Sequence, residues 1–428
     1  MQRFGGLAMF DTAVLRRSQE TRRWFRGSDL EPCVDAYVQH LAGRGYARAS
    51  ICMYVESVAH LAHWMRCKRI SVADVSERLL RRFIDRHLPV CRCARRCQRS
   101  EHTVRAALVQ LIFVLRAAGQ IPPAVSVEAE HIAKELQEFQ GFLVDVRGVA
   151  APTQLHRFLH VRAFLRHRFP THRIQLGSLK PADVADFILS YAAHWTPSSK
   201  KALGNSLRSY FRFKALQGGR TTHLIAAIPR IAQWRMASLP KWLSSDELSR
   251  LLGAFDRGTA TGQRDYAIAR CFVDLGLRTT EIARLCLEDV AWREGTVRIR
   301  SKARRIDFLP LPKSTGRAIV NYLRHGRPDT PDRGLFVRHR PPIGKPVTPA
   351  IVRNSVRYAA RRCGLQKCLH GPHILRHTVA KRLLERGSTL KQIADTLRHR
   401  CLDTTGIYAK VDLPALTQVA LPWPGSRA

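Results

Sequence analysis

Acidic residues are scarce in this chain. Across 428 residues, 33 Asp and Glu face 72 Lys and Arg, which leaves a formal net charge of +39. An imbalance of that size implies a polyanionic partner, with nucleic acid the first candidate, but charge alone supplies binding and no chemistry. Long apolar runs are also missing. The most apolar stretch, Ala106 to Leu115, is about half of the roughly 20 residues that a bilayer span requires. The amino-terminal stretch MQRFGGLAMFDTAVLRR carries no extended apolar segment after its charges, so neither export nor a membrane span is expected. The eleven cysteines are odd in number and scattered, which favours reduced thiols in a cytoplasm over a disulfide framework. No G-x-x-x-x-G-K-[ST] phosphate loop is present, and no carboxylate cluster suggests a two-metal nuclease.

What is present is enough apolar residue, 45%, to build cores in two or three domains. Two stretches, about 30–120 and 130–220, have helical apolar spacing and share landmarks in order. The first has Val34–Leu41, a Gly43/Gly45 break, Ile51–Met65, the triplet Ala73-Asp74-Val75 and a basic helix near Val104–Leu115. The second has Leu136–Leu143, a Gly148 break, Leu155–Phe169, the triplet Ala182-Asp183-Val184 and a basic helix near Leu203–Leu216. Two unrelated small bundles would match about as well. The proline-bearing stretch from Ile228-Pro229 to Leu239-Pro240 reads as a linker, after which Ser244 and Glu247 have capping-box spacing.

Beyond that cap the pattern changes. A helix through Ile268–Phe272 runs to Gly276, and a second opens near Thr280-Glu281 and ends around Cys286. Thr296-Val297-Arg298-Ile299-Arg300, followed across a basic turn by Ile306, Phe308 and Leu311, reads as a hairpin. Pro372 suits a helix start, Gly387 a helix end, and Thr389 with Gln392 another capping box. The expected architecture is multidomain and mainly α, with two helical domains followed by an α+β domain holding a small antiparallel sheet. The boundaries expected are 1–122, 123–225, a linker over 226–240, 241–412, and a tail over 413–428.

Five pieces of the last domain stand together: Gly276-Leu277-Arg278-Thr279-Thr280-Glu281, Ser301-Lys302-Ala303, His373-Ile374-Leu375-Arg376-His377, Leu397-Arg398-His399 and Ile407-Tyr408. In kind and order they resemble the catalytic pattern of the tyrosine recombinase, or phage integrase, family. The resemblance implies a 3'-phosphotyrosine intermediate formed by Tyr408, a proton delivered to the leaving oxygen by Lys302, and no metal or ATP. The residue chemistry agrees. A phosphodiester transition state spreads charge over its nonbridging oxygens, which the forked donors of Arg278 and Arg376 suit. His373 and Arg376, three apart on one helix, share a face. His373 is expected to manage the tyrosine proton and His399 to hydrogen-bond the phosphate. Glu281 either orients the arginines or caps its own helix, and His377 reads as structural.

The family resemblance further implies a clamp on double-stranded DNA at specific recombination sites, worked by a homotetramer in the synaptic complex, in some systems with cooperating recombinases. Lys200, Lys201, Arg208 and Arg212, near helical spacing, form a candidate DNA-facing surface. The extra amino-terminal unit, similar to enlarged chains of bacterial transposons and integrative elements, would bind arm-type DNA, contact another recombinase or extend the clamp. The tail from Leu413 either docks on a neighbouring protomer or frays. Cys91, Cys93 and Cys97, near His87 and His102, are metal-like in composition, but C-x-C-x-x-x-C lacks paired zinc spacing and neighbouring arginines oppose a cation, so no metal is assigned. Two other functions fit parts of the pattern: a type IB topoisomerase-like relaxase, and a non-catalytic DNA-binding regulator.

Overall fold

The computed structural model describes residues 19–93, 97–122, 130–170, 174–232, 239–300, 306–399, 405–411 and 417. The chain forms two compact units, one of residues 122–237 and one that joins residues 1–121 to 238–428. Three large cores sit within them, two in the joined unit and one in the other.

The first core is built by the helices Val34–Gly43, Arg48–Cys67, Glu77–Arg82 and Glu101–Ala117. Their apolar faces bury Leu41, Ile51, Leu61, Phe83, Leu108 and Leu115, and the Tyr37 hydroxyl donates to the Ala107 carbonyl at 2.9 Å, pinning the first helix to the last. Ser76 caps the third helix, which continues into a π-helical turn over Phe83–His87.

The second unit repeats the order of helix, helix, 3₁₀ turn, helix, helix, with helices Glu130–Gly141, Ala151–Arg168, Pro181–Tyr191 and Pro197–Leu216, then a short fifth helix, Thr222–Ala227. Its core is aromatic. Phe164 meets Phe187 edge-on at 5.2 Å and Phe211 at 5.7 Å, and Tyr210 hydrogen-bonds Glu135 at 2.9 Å. The two Ala-Asp-Val triplets do not occupy matching places. In the first unit Ser71 caps a 3₁₀ turn, Val72–Asp74, so the triplet straddles its end. In the second, Pro181 opens a helix and the triplet forms its first turn.

The third core belongs to the last part of the chain. Ser244 and Glu247 form the expected capping box, with bonds of 3.1 and 2.9 Å, at the start of Ser245–Gly253. Such a cap contributes about 1 kcal/mol. The long helix Ala260–Leu275 is buried among its neighbours, and the helix after it, Thr279–Ala283, is shorter than the sequence suggests. The hairpin forms, with a third short strand: β1 (Val290–Ala291), β2 (Thr296–Arg300) and β3 (Ile306–Pro310) pair antiparallel in that order. Val297 and Ile299 on β2 and Leu309 on β3 turn into the core, while Ile306 and Phe308 are 54% and 67% exposed, because the register puts their side of β3 toward solvent. Helices Pro349–Arg362, His373–Glu385 and Leu390–Leu397 follow, with Pro372 and the Thr389–Gln392 capping box at the expected starts. Among the described residues no helix is long and apolar enough to cross a membrane.

Candidate active site

Gly276 ends the long helix in the left-handed region, at φ +57°, and a Cβ there would lie 2.6 Å from the Leu397 side chain. Only glycine combines that backbone with so close an approach. The turn it makes carries Arg278 to the start of the next helix, where the carboxylate of Glu281 accepts from the Arg278 backbone N–H at 2.8 Å and from its guanidinium at 2.7 Å. Glu281 therefore both caps its helix and orients an arginine. It also takes a 2.9 Å bond from Arg398, in a place where both side chains are almost fully buried. Burial alone would raise the Glu281 carboxyl, but Arg398 and the Arg278 backbone and side chain outweigh it and hold the group below the usual carboxylate range.

Arg376 comes from the first turn of His373–Glu385 and is buried. Its two terminal nitrogens donate to the carbonyls of Gly276 and Leu397, tying the helix end before Arg278 to the helix end before His399. Burial first, then Arg278 and Arg398, pull it far below the ordinary arginine range, to about 9. A guanidinium stays charged at working pH, so the shift marks a buried cation with two others beside it. Arg398 sits just past its helix at φ +55°, and this left-handed C-cap turns the chain so that His399 follows. The His399 Nδ1 lies 2.7 Å from the Thr405 hydroxyl. Burial, followed by Arg376 and Arg278, lowers its imidazole to about 4, so the ring is neutral at pH 7.

Tyr408 is 2% exposed, packed with Val379, Ala380, Ile393 and Leu397. Its hydroxyl lies 2.7 Å from His377 Nδ1, and burial pushes it up to about 12 while the Arg376 charge works the other way. Here the structure adds two contacts that the sequence reading did not assign. The imidazole in contact with the tyrosine is His377, one helical turn beyond His373 on the same face. His373 is exposed and touches the pair only through its ring, edge-on to His377 at 5.8 Å. Arg398, the buried partner of Glu281, has no role in the sequence reading. Both missed residues stand beside motif residues, in Arg376-His377 and Arg398-His399, and that adjacency was the available signal.

Lys302 lies outside the described residues, as does nearly all of the tail. The structure thus brings together Arg278, Arg376, His399 and Tyr408 with Glu281, Arg398 and His377, and leaves His373 at their edge. In the second unit Lys201 and Arg212 are exposed and Lys200 is half-buried on Pro197–Leu216. Arg208 on the same helix is turned onto its own chain, donating to the carbonyls of Ile228 and Pro229 at 3.1 and 3.3 Å.

This cluster falls inside residues 241–413, which match the model of the phage integrase family. Over 394 residues, 91% of this chain and 93% of the other, the chain is 35% identical to a protein of Sinorhizobium fredii described as an integrase/recombinase, y4rA. It is 32% identical over 225 residues to the tyrosine recombinase XerC of Thermodesulfovibrio yellowstonii, covering 50% of this chain and 72% of that one. The chain belongs to the tyrosine recombinase family. This recombinase also shares its fold with solved members: XerH bound to its difH substrate, at a TM-score of 0.54 and 18% identity over 72% of this chain and 92% of that one. A lambda integrase dimer bound to a core site gives 0.51 and 18%, over 64% and 94%. The recombinase is accordingly an enzyme of DNA strand exchange, and its arginine cluster lies where the family match runs.

Proposed function

We propose that this recombinase cuts and rejoins double-stranded DNA at specific sites through Tyr408, in the integration, excision or transposition of a mobile element. The observation that carries the reading is the Tyr408 hydroxyl beside Arg376, within one cluster that also holds Arg278, Arg398 and the neutral His399. The tyrosine oxygen attacks phosphorus, its proton passes to a base, and the bond to the 5' oxygen breaks, with that oxygen taking a proton from Lys302. The phosphotyrosine keeps the energy of the broken ester, so a 5' hydroxyl from another strand restores a phosphodiester and frees Tyr408 without ATP. Arg278 and Arg376 bind the nonbridging oxygens as charge develops on them, and His399 donates a hydrogen bond to one of them. His377 lies in hydrogen-bond contact with the tyrosine hydroxyl in the resting arrangement and is the nearest group to receive its proton, with His373 behind it. Because Tyr408 is buried, attack requires its short 3₁₀ segment, Gly406–Val411, to shift toward the phosphate.

In this reading residues 241–412 carry the chemistry and 123–225 grip the core site, with Lys200, Lys201 and Arg212 against phosphates. Arg208 supports their helix as well as any contact it makes. Residues 1–122 extend the contact to DNA or to another protomer, 226–240 join the parts, and 413–428 dock on a neighbour in a homotetramer whose protomers act in pairs beside the cytoplasmic chromosome. Supercoiled plasmids with and without two copies of the element's ends test this. Site-specific recombination products only on the paired-site plasmid support the proposal. Relaxation of the plasmid lacking sites would instead indicate a topoisomerase-like relaxase, and binding without any strand breakage a non-catalytic regulator.

A further inference from the structure

A second polar cluster lies in the first helical core and takes no part in strand exchange. His60, on the helix Arg48–Cys67, is fully buried. His87 ends the π-helical turn Phe83–His87, and Cys91 and Cys93 follow the short 3₁₀ turn Leu88–Val90. One ligand atom from each of these four residues lies within 4.8 Å of every other. His60 Nε2 is 3.2 Å from His87 Nε2 and 3.2 Å from Cys91 Sγ, and His87 Nε2 is 3.7 Å from Cys93 Sγ.

These separations are those of a coordination shell. A zinc tetrahedron with Zn–N near 2.0–2.1 Å and Zn–S near 2.3 Å has edges of about 3.3 Å between nitrogens and about 3.6 Å between nitrogen and sulfur. Hydrogen bonding accounts for the cluster less well. A ring nitrogen carries either one proton or one lone pair, so a single linear hydrogen bond explains one of the two 3.2 Å contacts at His60 Nε2 and leaves the other unmade. Cys91 is extended, and the one-residue spacing therefore brings Cys93 to the same side, while the Cys93 backbone N–H donates to Cys91 Sγ at 3.3 Å. Around the imidazoles stand Trp24, at 5.6 Å from His60, and Phe83, at 5.1 Å from His60 and 5.2 Å from His87. This apolar wall strengthens attraction between a cation and two thiolates.

We propose that His60, His87, Cys91 and Cys93 bind a structural zinc ion. Two thiolates balance the charge of the metal, two neutral imidazoles complete the tetrahedron, and four protein ligands leave no open position for catalysis. The ion staples the segment after Glu77–Arg82 to the helix Arg48–Cys67. Cys97, the third cysteine of the sequence motif, is outside the group and receives a 3.3 Å bond from Arg99, whereas His102 is exposed on the next helix. The fourth ligand is His60, which the spacing of the cysteines could not reveal. Of the neighbouring arginines that the structure describes, Arg92 is exposed and Arg99 turns to the Cys97 sulfur and the Cys93 carbonyl, while Arg95 and Arg96 lie outside the described residues.

The test uses the full-length chain. Metal analysis of protein purified without chelators, or loaded with zinc chloride and desalted, is expected to give one zinc ion per chain. Exchange for cobalt(II) is expected to give the intense visible bands of a tetrahedral thiolate site. Cys91→Ser, Cys93→Ser and His87→Gln should each weaken zinc binding by more than the roughly 10–100-fold that loss of an outer-shell partner costs. Cys67→Ser, at an exposed cysteine outside the group, should leave it unchanged. Should the ligand variants not fold, the cobalt spectrum of the unaltered chain decides. A zinc-loaded chain that retains no metal and gives no tetrahedral cobalt spectrum overturns the proposal, as does a folded Cys91→Ser/Cys93→Ser chain that holds zinc as tightly as the parent.

Discussion

At Glu281 a single carboxylate balances two arginines, Arg278 and Arg398, with the Arg398 side chain 2% exposed and its own 4%. Removing one partner of a buried ion pair strands the other, so Glu281→Gln should cost about 3 kcal/mol, read by denaturant unfolding. The carboxyl is held below its ordinary range, so its contribution is fully present above that range and is lost as pH falls through the lower folded value. His399 adds to the same limb. With its folded value near 4, the unfolded chain binds its proton first, and stability declines as pH drops from about 6.5 toward 4. His399→Gln should flatten that part of a melting-temperature profile. Arg376→Lys should slow cleavage by about 100- to 1000-fold while site binding in a gel-shift assay stays within a few-fold, because one ammonium cannot replace a fork that ties the Gly276 and Leu397 carbonyls together and holds positive charge near Tyr408. At this scale the sequence exposes Arg278, Arg376, His399 and Tyr408, since their types and order carry the chemistry. It hides the contacts of His377 and Arg398, since their partners, Tyr408 and Glu281, come from distant parts of the chain.

Elements whose signals are local could be read directly. The Ser244–Glu247 and Thr389–Gln392 caps, the Pro372 start and the β2–β3 hairpin each depend on neighbours a few residues away. Where one short motif stands behind different residues, the motif alone does not fix its structure. The two Ala-Asp-Val triplets take different structures because a serine cap precedes one and Pro181 begins the helix of the other. Gly276 ends its helix against Leu397: Gly276→Ala combines a left-handed φ with a clash against that side chain, and should destabilise by about 2 kcal/mol in thermal or denaturant unfolding. On Pro197–Leu216 the exposed Lys201 and Arg212 differ from Arg208, whose donors are engaged by carbonyls. Lys201→Ala and Arg212→Ala should each lower the slope of log affinity against log salt by roughly one, measured by fluorescence anisotropy on core-site DNA.

For the whole molecule, a charge of +39 suits a polyanionic partner, and three separate cores stand along the chain. The charge says nothing about bond breakage; that rests on one buried hydroxyl. The direct measurement is a covalent complex. A nicked core-site duplex is incubated with the full-length chain and with Tyr408→Phe, without ATP or added divalent metal, and protein–DNA adducts are resolved on a denaturing gel and mapped by mass spectrometry. The account predicts an adduct on the peptide containing Tyr408 with the parent chain and none with Tyr408→Phe, at equal DNA binding. An adduct that persists in Tyr408→Phe, or that maps to another residue, would contradict it.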